Sequence, residues 1–283
     1  MCIRDRIGGG FTFLRNFKKA LHGKIQFVDN WKSCDIFFIF GITTIDKTET
    51  HKAINAGKKL VLRVDNIPRK SRNRRQSPAE RLREFGAKAT KVVYQSEWSK
   101  KWAGYFAGEG IIINNGVDTS IFNTRGRKSD RKTYLYIDYN PNPFKRFDEA
   151  IYWFERDWRK DNEVHLIIAG NAPKIYLENP EYNWDLNVPA KVEYVGILDT
   201  PEAVAEIMKQ SDYLIYPSFA EAYPNTILEA MACGVLPIHL NKEGGAMEAY
   251  KNCMQRIKTI EEMGQEYLDL FKSILKNKSG RGN

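Results

Sequence analysis

PSFAEAYPNTILEAMACGVLPI, residues 217–238, carries two glutamates, Glu221 and Glu229, with seven residues between them. The apolar run DYLIYPS, residues 212–218, predicts a strand that ends just before Glu221. Pro224 suits the first position of a helix, because its missing N–H would have no partner there anyway. The segment therefore predicts a junction between a strand and a helix, with Glu221 in the loop and Glu229 about one turn further on.

The predicted helix end is suited to a phosphate group. The backbone N–H groups of Asn225 and Thr226, in the first turn, would point out of a helix end that carries partial positive charge. With Glu221 facing the ligand and Glu229 within reach of a hydroxyl, the geometry fits a diphosphate with a hydroxyl-bearing group on each side. A nucleotide-sugar is such a molecule. The alternative is an amphipathic helix with exposed carboxylates, since two glutamates at this spacing alone indicate little.

Glu221 and Glu229, followed by Ala-Met-Ala-Cys-Gly at residues 230–234, resemble the signature of retaining glycosyltransferases of family 4. The resemblance implies an α/β chain of GT-B fold, in which two Rossmann-like domains with parallel sheets face each other across a cleft. It also implies that Glu221 lies beside the donor sugar as a catalytic residue, and Glu229 beside the nucleotide ribose. Strand and helix signals, among them a predicted strand at residues 24–28, alternate from end to end of the chain, as they do in parallel sheets with crossover helices.

A second segment, NPFKRFDEAI at residues 142–151, resembles the phosphate-binding segment of the same family. The resemblance implies that Lys145 contacts the donor diphosphate and assists catalysis. Arg146 occupies a position where the family usually has glycine, and Asn140 one where many relatives carry arginine. One of two expected cations is therefore missing, and Arg146 is a candidate to replace it in donor binding.

Three glycine-containing segments resemble other parts of the family's donor site. VHLIIAGNAP resembles the strand and the Gly170 turn that border the nucleotide, and VEYVGILD resembles the strand whose end, at Ile197, lies against the base. Gly9 and Gly10 resemble a loop that closes over the donor phosphate, where glycine allows the backbone to approach an oxyanion. The alternative, a dinucleotide-binding G-x-G-x-x-G, is not matched, because Phe13 occupies the place of the third glycine.

The acceptor side offers one candidate catalytic residue. Asp65 ends a predicted strand, KLVLRVD, and would point toward the carboxyl edge of a parallel sheet, where ligands bind. It is a candidate to orient or deprotonate an acceptor hydroxyl. It could equally pair with Arg63 or Arg69.

The net charge of +9 is concentrated in part in IPRKSRNRRQ, residues 67–76. The arginines of this run are candidates to hold an anionic acceptor or an anionic membrane surface, at about 1 kcal/mol per basic residue. They are Arg69, Arg72, Arg74 and Arg75. A solvated loop is the alternative. Nucleic acid is not expected, since there is no recognition-helix motif and the aromatic residues are not interleaved with the basic run.

The polar, basic stretch at residues 122–132 predicts a linker between two domains. The expected domains are an N-terminal Rossmann-like acceptor domain at residues 1–124 and a Rossmann-like donor domain at residues 125–258. The resemblance implies that a last helix, within residues 259–283, crosses back to the N-terminal domain. The first six residues, MCIRDR, resemble a translated sequencing adapter and are excluded from the fold prediction.

The composition is that of a globular protein, with 283 residues of which 42% are hydrophobic. The longest apolar run, residues 36–42, is too short to span a bilayer, which needs about 20 residues. The four cysteines form no C-x-x-C pair and are interpreted as reduced thiols of a cytoplasmic protein. The sequence contains no Asp-x-Asp and its four histidines are dispersed, so neither a metal nor another cofactor is expected.

Together these patterns predict a metal-independent, retaining glycosyltransferase. It would move a sugar from a nucleotide-diphosphate donor to a hydroxyl group of a glycan or a lipid-linked glycan. Its expected place is the cytoplasm, with peripheral contact to the inner face of an anionic membrane. Two alternatives remain open: a protein of the same fold that binds a sugar nucleotide or a polyanion without turnover, and a nucleotide-sugar epimerase.

Overall fold

The computed structural model describes residues 9–43, 45–65, 78–128, 132–139, 143–171 and 192–276. The chain divides into two compact units. Unit 1 comprises Met1–Gly116, Glu221–Tyr223 and Lys258–Asn283, and unit 2 comprises Val117–Ala220 and Pro224–Ile257. Each unit contains its own parallel sheet with accompanying helices, which confirms the predicted α/β class.

The described part of the chain contains strands and helices in alternation. The strands are β1 (Ile36–Ile39), β2 (Lys59–Arg63), β3 (Lys91–Tyr94), β4 (Ile111–Ile112), β5 (Thr133–Asp138), β6 (His165–Gly170), β7 (Val192–Gly196), β8 (Tyr213–Ile215) and β9 (Leu236–Ile238). The helices are α1 (Gly9–Leu21), α2 (Lys47–Asn55), α3 (Pro78–Gly86), α4 (Glu97–Ala107), α5 (Phe147–Trp158), α6 (Pro201–Lys209), α7 (Asn225–Ala232), α8 (Ala246–Gln255) and α9 (Ile260–Lys276). No helix among these is long and apolar enough to cross a membrane.

In unit 1 the strands lie in the order β1-β2-β3-β4, and every neighbouring pair is parallel. Two helices of unit 1, α2 and α4, begin at side chains that cap them. The Asp46 side chain accepts a hydrogen bond from the Glu49 backbone N–H at the start of α2. Ser96 and Ser99 form a reciprocal capping box at the start of α4.

The core of unit 1 joins the first and last described helices to the sheet. Phe13 and Phe17 of α1 pack against Tyr267 and Phe271 of α9, with Val61 of β2 in the same cluster. The two helices lie close together, since a Cβ added at Gly264 of α9 would stand 2.7 Å from the Cβ of Ala20 in α1. The helix predicted within residues 259–283 is thus part of unit 1.

The strand predicted at residues 24–28 is wrong. Gly23, with a φ of 73°, turns the chain just after α1, and Phe27 and Val28 are exposed, without a sheet partner.

The linker predicted at residues 122–132, with the domain limits at residues 124 and 258, stays a prediction. Its described part, residues 122–128, contacts unit 2. The backbone N–H of Lys128 donates to the carbonyl of Lys209, and the structure divides the units between Gly116 and Val117.

In unit 2 the strands lie in the order β7-β6-β5-β8-β9, and all are parallel. The first strand of the unit, β5, therefore lies in the middle of the sheet, with later strands added on both sides. Every residue of β5 is buried, and Tyr136 packs edge-on against Phe147 of α5 at 5.0 Å between ring centroids. Such a fully buried strand is typical of a sheet covered on both faces.

We expect Gly170→Ala to destabilise the protein much more than Gly196→Ala. Both glycines have positive φ, of 112° and 73°, at the ends of neighbouring strands. A Cβ at Gly170 would lie 1.8 Å from the carbonyl oxygen of Asp138, whereas a Cβ at Gly196 would meet nothing within 4 Å. The first substitution should lower the free energy of unfolding by at least about 2 kcal/mol and the second by about 1 kcal/mol.

Urea denaturation of the two variants measures this difference. Equal losses in the free energy of unfolding would show that Gly170 lies farther from the Asp138 carbonyl than the structure indicates.

Candidate functional site

In unit 2, successive strands are added first on one side of β5 and then on the other. The connection from β5 runs to β6 on one side, whereas β8 lies on the other side, so the segments after β5 and β8 diverge. In open parallel sheets, ligands bind at such a switch point, outside the carboxyl ends of the strands. The segments that follow β5 and β8 are therefore where a ligand site is expected.

Lys145 lies at this switch point. Its backbone carbonyl accepts a hydrogen bond from the Tyr136 hydroxyl at 3.4 Å, and its Nζ lies 6.0 Å from the ring centroid of Tyr216, just after β8. The Phe219 backbone N–H donates to the Phe144 carbonyl at 2.7 Å, and the two rings stack at 6.0 Å. The two loops are thus tied together. The aromatic residues that do this were not predicted, because their type alone does not distinguish them from core residues.

Helix α7 begins directly after the second loop. Pro224 is its N-cap, with an extended ψ of 123°, and Asn225 is the first helical residue. The prediction that Pro224 is the first helical residue is wrong by one position, because its carbonyl already accepts the first helical bond, from Ile227. Asn225 and Thr226 lie in the first turn, as predicted, and this turn contains no acidic residue. The partial positive charge of the helix end is therefore not offset by a carboxylate there.

Glu229, one turn into α7, affects the pKa of Tyr139, which follows β5 directly. Burial raises the pKa of Tyr139 to about 12, and the negative charge of Glu229 adds to this increase. The backbone at Leu198, next to Ile197, lowers the pKa of the same hydroxyl. Glu229 and the segment after β7 thus both influence the Tyr139 hydroxyl, which follows β5. Ile197 itself is 47% exposed.

Gly170 ends β6 beside the same edge. Its φ of 112° and the nearby carbonyl of Asp138 require glycine for reasons of the backbone alone. The Tyr194 hydroxyl donates to the Gly170 carbonyl at 2.7 Å, which fixes the turn against β7. A contact between Gly170 and a nucleotide stays a prediction.

Arg146 has a left-handed backbone conformation, with a φ of 53°. This explains why glycine suits the position, since only glycine adopts such a φ without steric cost. The Arg146 Nε lies 2.6 Å from the Glu149 Oε2, in the first turn of α5. Its charge is thus paired within unit 2, and its use as a second donor-binding cation stays a prediction. Asn140, the other position concerned, lies outside the described residues.

Left-handed conformations recur at this edge of unit 2. The non-glycine residues with positive φ in the described chain are Arg146 after β5, Ala220 after β8 and His239 after β9. Each costs about 1–2 kcal/mol, and such conformations concentrate at functional sites. Ala220 is held by a hydrogen bond from its N–H to the Glu243 carbonyl at 2.7 Å. It redirects the chain immediately before Glu221.

A family model described as glycosyl transferases group 1 matches residues 118–281, which is more than half of the chain. The chain belongs to the group 1 glycosyl transferases. Among curated proteins, this member is 30% identical to an uncharacterized glycosyltransferase, MJ1607, of Methanocaldococcus jannaschii over 45% of its length. It is 29% identical, over 46% of its length, to the gpi3 subunit of phosphatidylinositol N-acetylglucosaminyltransferase from Schizosaccharomyces pombe. The matched parts make up 31% and 28% of those relatives, so the chain spans about a third of their length or less.

Solved structures support the predicted fold class. The Anabaena protein Alr3699/HepE in complex with UDP-glucose has a TM-score of 0.66 and 16% identity, covering 98% of this chain and 97% of that one. A glycosyltransferase from Rickettsia africae has a TM-score of 0.64 and 17% identity, covering 98% and 85%. These likenesses confirm the GT-B fold for this group 1 member. At such identities they concern the fold alone.

The remaining predicted residues of this group 1 member lie in unit 1 or outside the described chain. Gly9 and Gly10 are the first residues of α1, so the predicted glycine loop is wrong at these positions. Neither has a positive φ, and a Cβ on either would meet nothing closer than the Phe40 ring at 4.0 Å. A side chain would therefore fit, and a contact with phosphate stays a prediction. Arg69, Arg72, Arg74 and Arg75 lie outside the described residues.

Asp65 follows β2 at the carboxyl edge of the unit 1 sheet. Its Oδ1 accepts a hydrogen bond from the Ile42 backbone N–H at 3.0 Å, in the loop after β1. Its charge also acts on Arg63, whose pKa is lowered by burial and raised in part by Asp65. The structure thus gives Asp65 a local role in shaping this loop. A role in catalysis stays a prediction.

Two surface cavities lie apart from the predicted site residues. They have volumes of about 480 and 500 Å³, lie in unit 1 and are lined by residues between Arg83 and Ile111, none of which is a predicted site residue. The described residues contain no group of three or more His, Cys, Asp or Glu side chains that could hold a metal ion.

We expect Arg146→Gly to be more stable than Arg146→Ala. Both substitutions remove the ion pair with Glu149, which is partly exposed and contributes less than about 1 kcal/mol. Only glycine relieves the left-handed φ, so the Gly variant should exceed the Ala variant by about 0.5–1 kcal/mol in the free energy of unfolding. Urea denaturation measures the difference. An Ala variant of equal or greater stability would contradict the left-handed conformation.

Proposed function

We propose that this chain is a metal-independent, retaining glycosyltransferase of family 4. It transfers a sugar from a nucleotide-diphosphate sugar to a hydroxyl group of a glycan or a lipid-linked glycan. The observation that carries the proposal is the position of Lys145 at the β5–β8 switch point of unit 2, with its Nζ 6.0 Å from the Tyr216 ring just after β8, the strand that precedes α7. A cation and a helix N-terminus at the carboxyl ends of parallel strands form a site for a diphosphate.

In this proposal the donor is held by unit 2. Lys145 and the first-turn amides of Asn225 and Thr226 contact the diphosphate, and Glu229 accepts a hydrogen bond from a ribose hydroxyl. Ile197 lies against the base. As the bond to the leaving nucleotide breaks, negative charge grows on the phosphate, where Lys145 and the helix dipole stabilise it.

Transfer with retention proceeds by attack on the face that the nucleotide leaves. The bond from the anomeric carbon to the phosphate oxygen breaks, and a bond to the acceptor oxygen forms on the same face. The departing phosphate takes the acceptor proton, so that no protein base is required. Glu221 lies beside the donor sugar and stabilises its positive charge, and Asp65 orients the acceptor hydroxyl.

The names of similar proteins support the choice of substrates. The HepE structure contains UDP-glucose, which favours UDP-sugars among the donors. The name of the gpi3 relative includes phosphatidylinositol, which favours a lipid-linked acceptor. Arg69, Arg72, Arg74 and Arg75 are then proposed to hold an anionic acceptor or an anionic membrane surface at the cytoplasmic side.

A non-catalytic sugar-nucleotide-binding protein is the second candidate. It is favoured by the pairing of Arg146 with Glu149 at 2.6 Å, which leaves Lys145 as the proposed cation for the diphosphate. The two functions differ in the release of free nucleotide. Incubation with a donor and a glycan or lipid acceptor gives nucleoside diphosphate only if the protein is an enzyme.

A thermal-shift screen with UDP-, GDP- and ADP-sugars tests donor binding directly. A ligand that binds the folded state at 100 times its Kd stabilises it by about 2.7 kcal/mol, which raises the melting temperature. We expect one base to shift the melting temperature and the others not. No shift with any donor would contradict both candidate functions.

Lys145→Ala should lower the turnover number at least about tenfold, because it removes a charge that stabilises the leaving phosphate. Lys132→Ala is the matched control, since Lys132 lies at the amino end of β5 and pairs with Asp161. Rates of nucleotide release measure both variants. A Lys145 variant with the rate of the Lys132 variant would remove Lys145 from the site.

Glu229→Ala should weaken nucleotide binding about tenfold or more, because a charged hydrogen bond to the ribose is lost. Glu206→Ala, on the exposed side of α6, changes the charge of unit 2 equally and serves as the control. Isothermal titration with the nucleotide identified by the screen gives both dissociation constants. Unchanged affinity in the Glu229 variant would show that the ribose binds elsewhere.

A further inference from the structure

The segment Glu221–Tyr223 belongs to unit 1, although the residues on both sides of it belong to unit 2. Buried side chains of unit 1 hold its backbone. The Ser96 hydroxyl donates a hydrogen bond to the Ala222 carbonyl at 2.5 Å, and the Asn115 Nδ2 donates to the Tyr223 carbonyl at 3.2 Å. The two carbonyls that follow Glu221 are thus both satisfied by side chains of unit 1.

A buried network fixes the orientation of the Asn115 amide. Its Oδ1 accepts a hydrogen bond from the Arg63 guanidinium at 2.9 Å, so its Nδ2 must point the other way, toward Tyr223. The same Nδ2 donates to the Gln95 Oε1 at 3.0 Å. Gln95 in turn donates to the Val64 carbonyl at 2.8 Å. Because guanidinium offers only donors, this arrangement cannot be reversed without leaving a buried group unsatisfied.

Arg63 is itself immobilised. It is 2% exposed, its Nη1 donates to the Phe40 carbonyl at 3.0 Å, and its Cζ lies 3.6 Å from the ring centroid of Phe13. Ser96 is fixed by its second role, because its Oγ also accepts the Ser99 N–H at the start of α4. Both donors to the Glu221 segment are therefore rigid parts of unit 1.

The segment has little freedom of its own. Ala220 precedes it in the left-handed conformation, and Pro224 follows it with φ fixed at −74° by the ring. Ala222 and Tyr223 are buried, whereas Glu221 is only partly buried. The backbone is therefore held both before and after Glu221, whose side chain is only partly buried.

We propose that Ser96 and Asn115 are positioning residues for Glu221. The inference rests on the proposed function, in which Glu221 acts beside the donor sugar. A buried carbonyl without a donor is unfavourable, so loss of either bond shifts the segment toward another partner. A displacement of about 1 Å at a reacting group can cost about 100-fold in rate.

The proposed donor-binding residues lie outside the segment Glu221–Tyr223 that this network holds. Lys145, Asn225, Thr226 and Glu229 belong to unit 2, and none of the hydrogen bonds above involves them. Loss of the network should therefore lower turnover without weakening donor binding. A merely structural role would lower the melting temperature and leave turnover unchanged at temperatures where the variant is folded.

Two variants remove the hydrogen bonds to the carbonyls of Ala222 and Tyr223, and a third variant controls for loss of the cap of α4. Asn115→Asp is isosteric and still accepts from Arg63, but its carboxylate cannot donate to Tyr223. Ser96→Ala removes the donor to Ala222 and also a cap of α4. Ser99→Ala removes the other half of the same capping box, without contact to residues 221–223. Both serine variants lose part of the α4 cap, and of the two only Ser96→Ala also loses the bond to Ala222.

The first readout does not depend on activity. Hydrogen–deuterium exchange of peptides that span residues 219–226 should be about tenfold faster in Asn115→Asp and Ser96→Ala, because local opening becomes easier, and unchanged in Ser99→Ala. The second readout is nucleotide release with the donor found by thermal shift. In the first two variants we expect kcat to fall at least about tenfold with the donor Kd within about threefold of the wild type.

Failure of the positioning role and failure of the proposed function would give different results. Exchange that is equal in Asn115→Asp, Ser96→Ala and the wild type, or faster exchange with unchanged kcat, would overturn the positioning role. A wild-type protein that releases no nucleotide from any donor, but shows the expected differences in exchange, would overturn the proposed function. In that case the placement of Glu221 by Ser96 and Asn115 is still supported.

Discussion

The central position of β5 in the sheet of unit 2 is the constraint on which the candidate site depends. Because later strands add on both sides of β5, the chain leaves β5 and β8 in different directions, which in parallel sheets leaves a crevice at the carboxyl ends of the two strands. Lys145 follows β5 and α7 follows β8, so strand order brings both to this end of the sheet. The buried aromatic packing of Tyr136 and Phe147 beneath the edge keeps β5 and α5 in place.

The same edge is where unit 2 departs from relaxed backbone geometry. Arg146, Ala220 and His239 are left-handed without being glycines, and each is held by neighbouring interactions. Arg146 pairs with Glu149, the Ala220 N–H bonds to Glu243, and the His239 ring stacks on Trp153 at 4.2 Å. The core below the edge offsets these local costs, so that strained loops and a stable sheet coexist in one unit.

Sequence patterns predict well what depends on neighbouring residues. The apolar run at residues 212–218 contains β8, and Asn225 and Thr226 lie in the first turn of the helix that Pro224 indicates. Sequence patterns fail where solvent exposure or contacts between distant residues decide the structure. Phe27 and Val28 suit a strand by type, yet no partner strand reaches them. The bond from Ser96 to Ala222 spans 126 residues, and no local pattern indicates it.

The assignment of α9 to unit 1 has a consequence for biosynthesis. As the chain emerges from the ribosome, unit 2 is complete once residues up to 257 are available. The aromatic cluster of unit 1 must wait for Tyr267 and Phe271, so Phe13 and Phe17 stay without these partners until α9 has been synthesised. The unit that is synthesised first is therefore the last to acquire its full core, and nascent chains that stop before α9 expose apolar surface to chaperones and proteases.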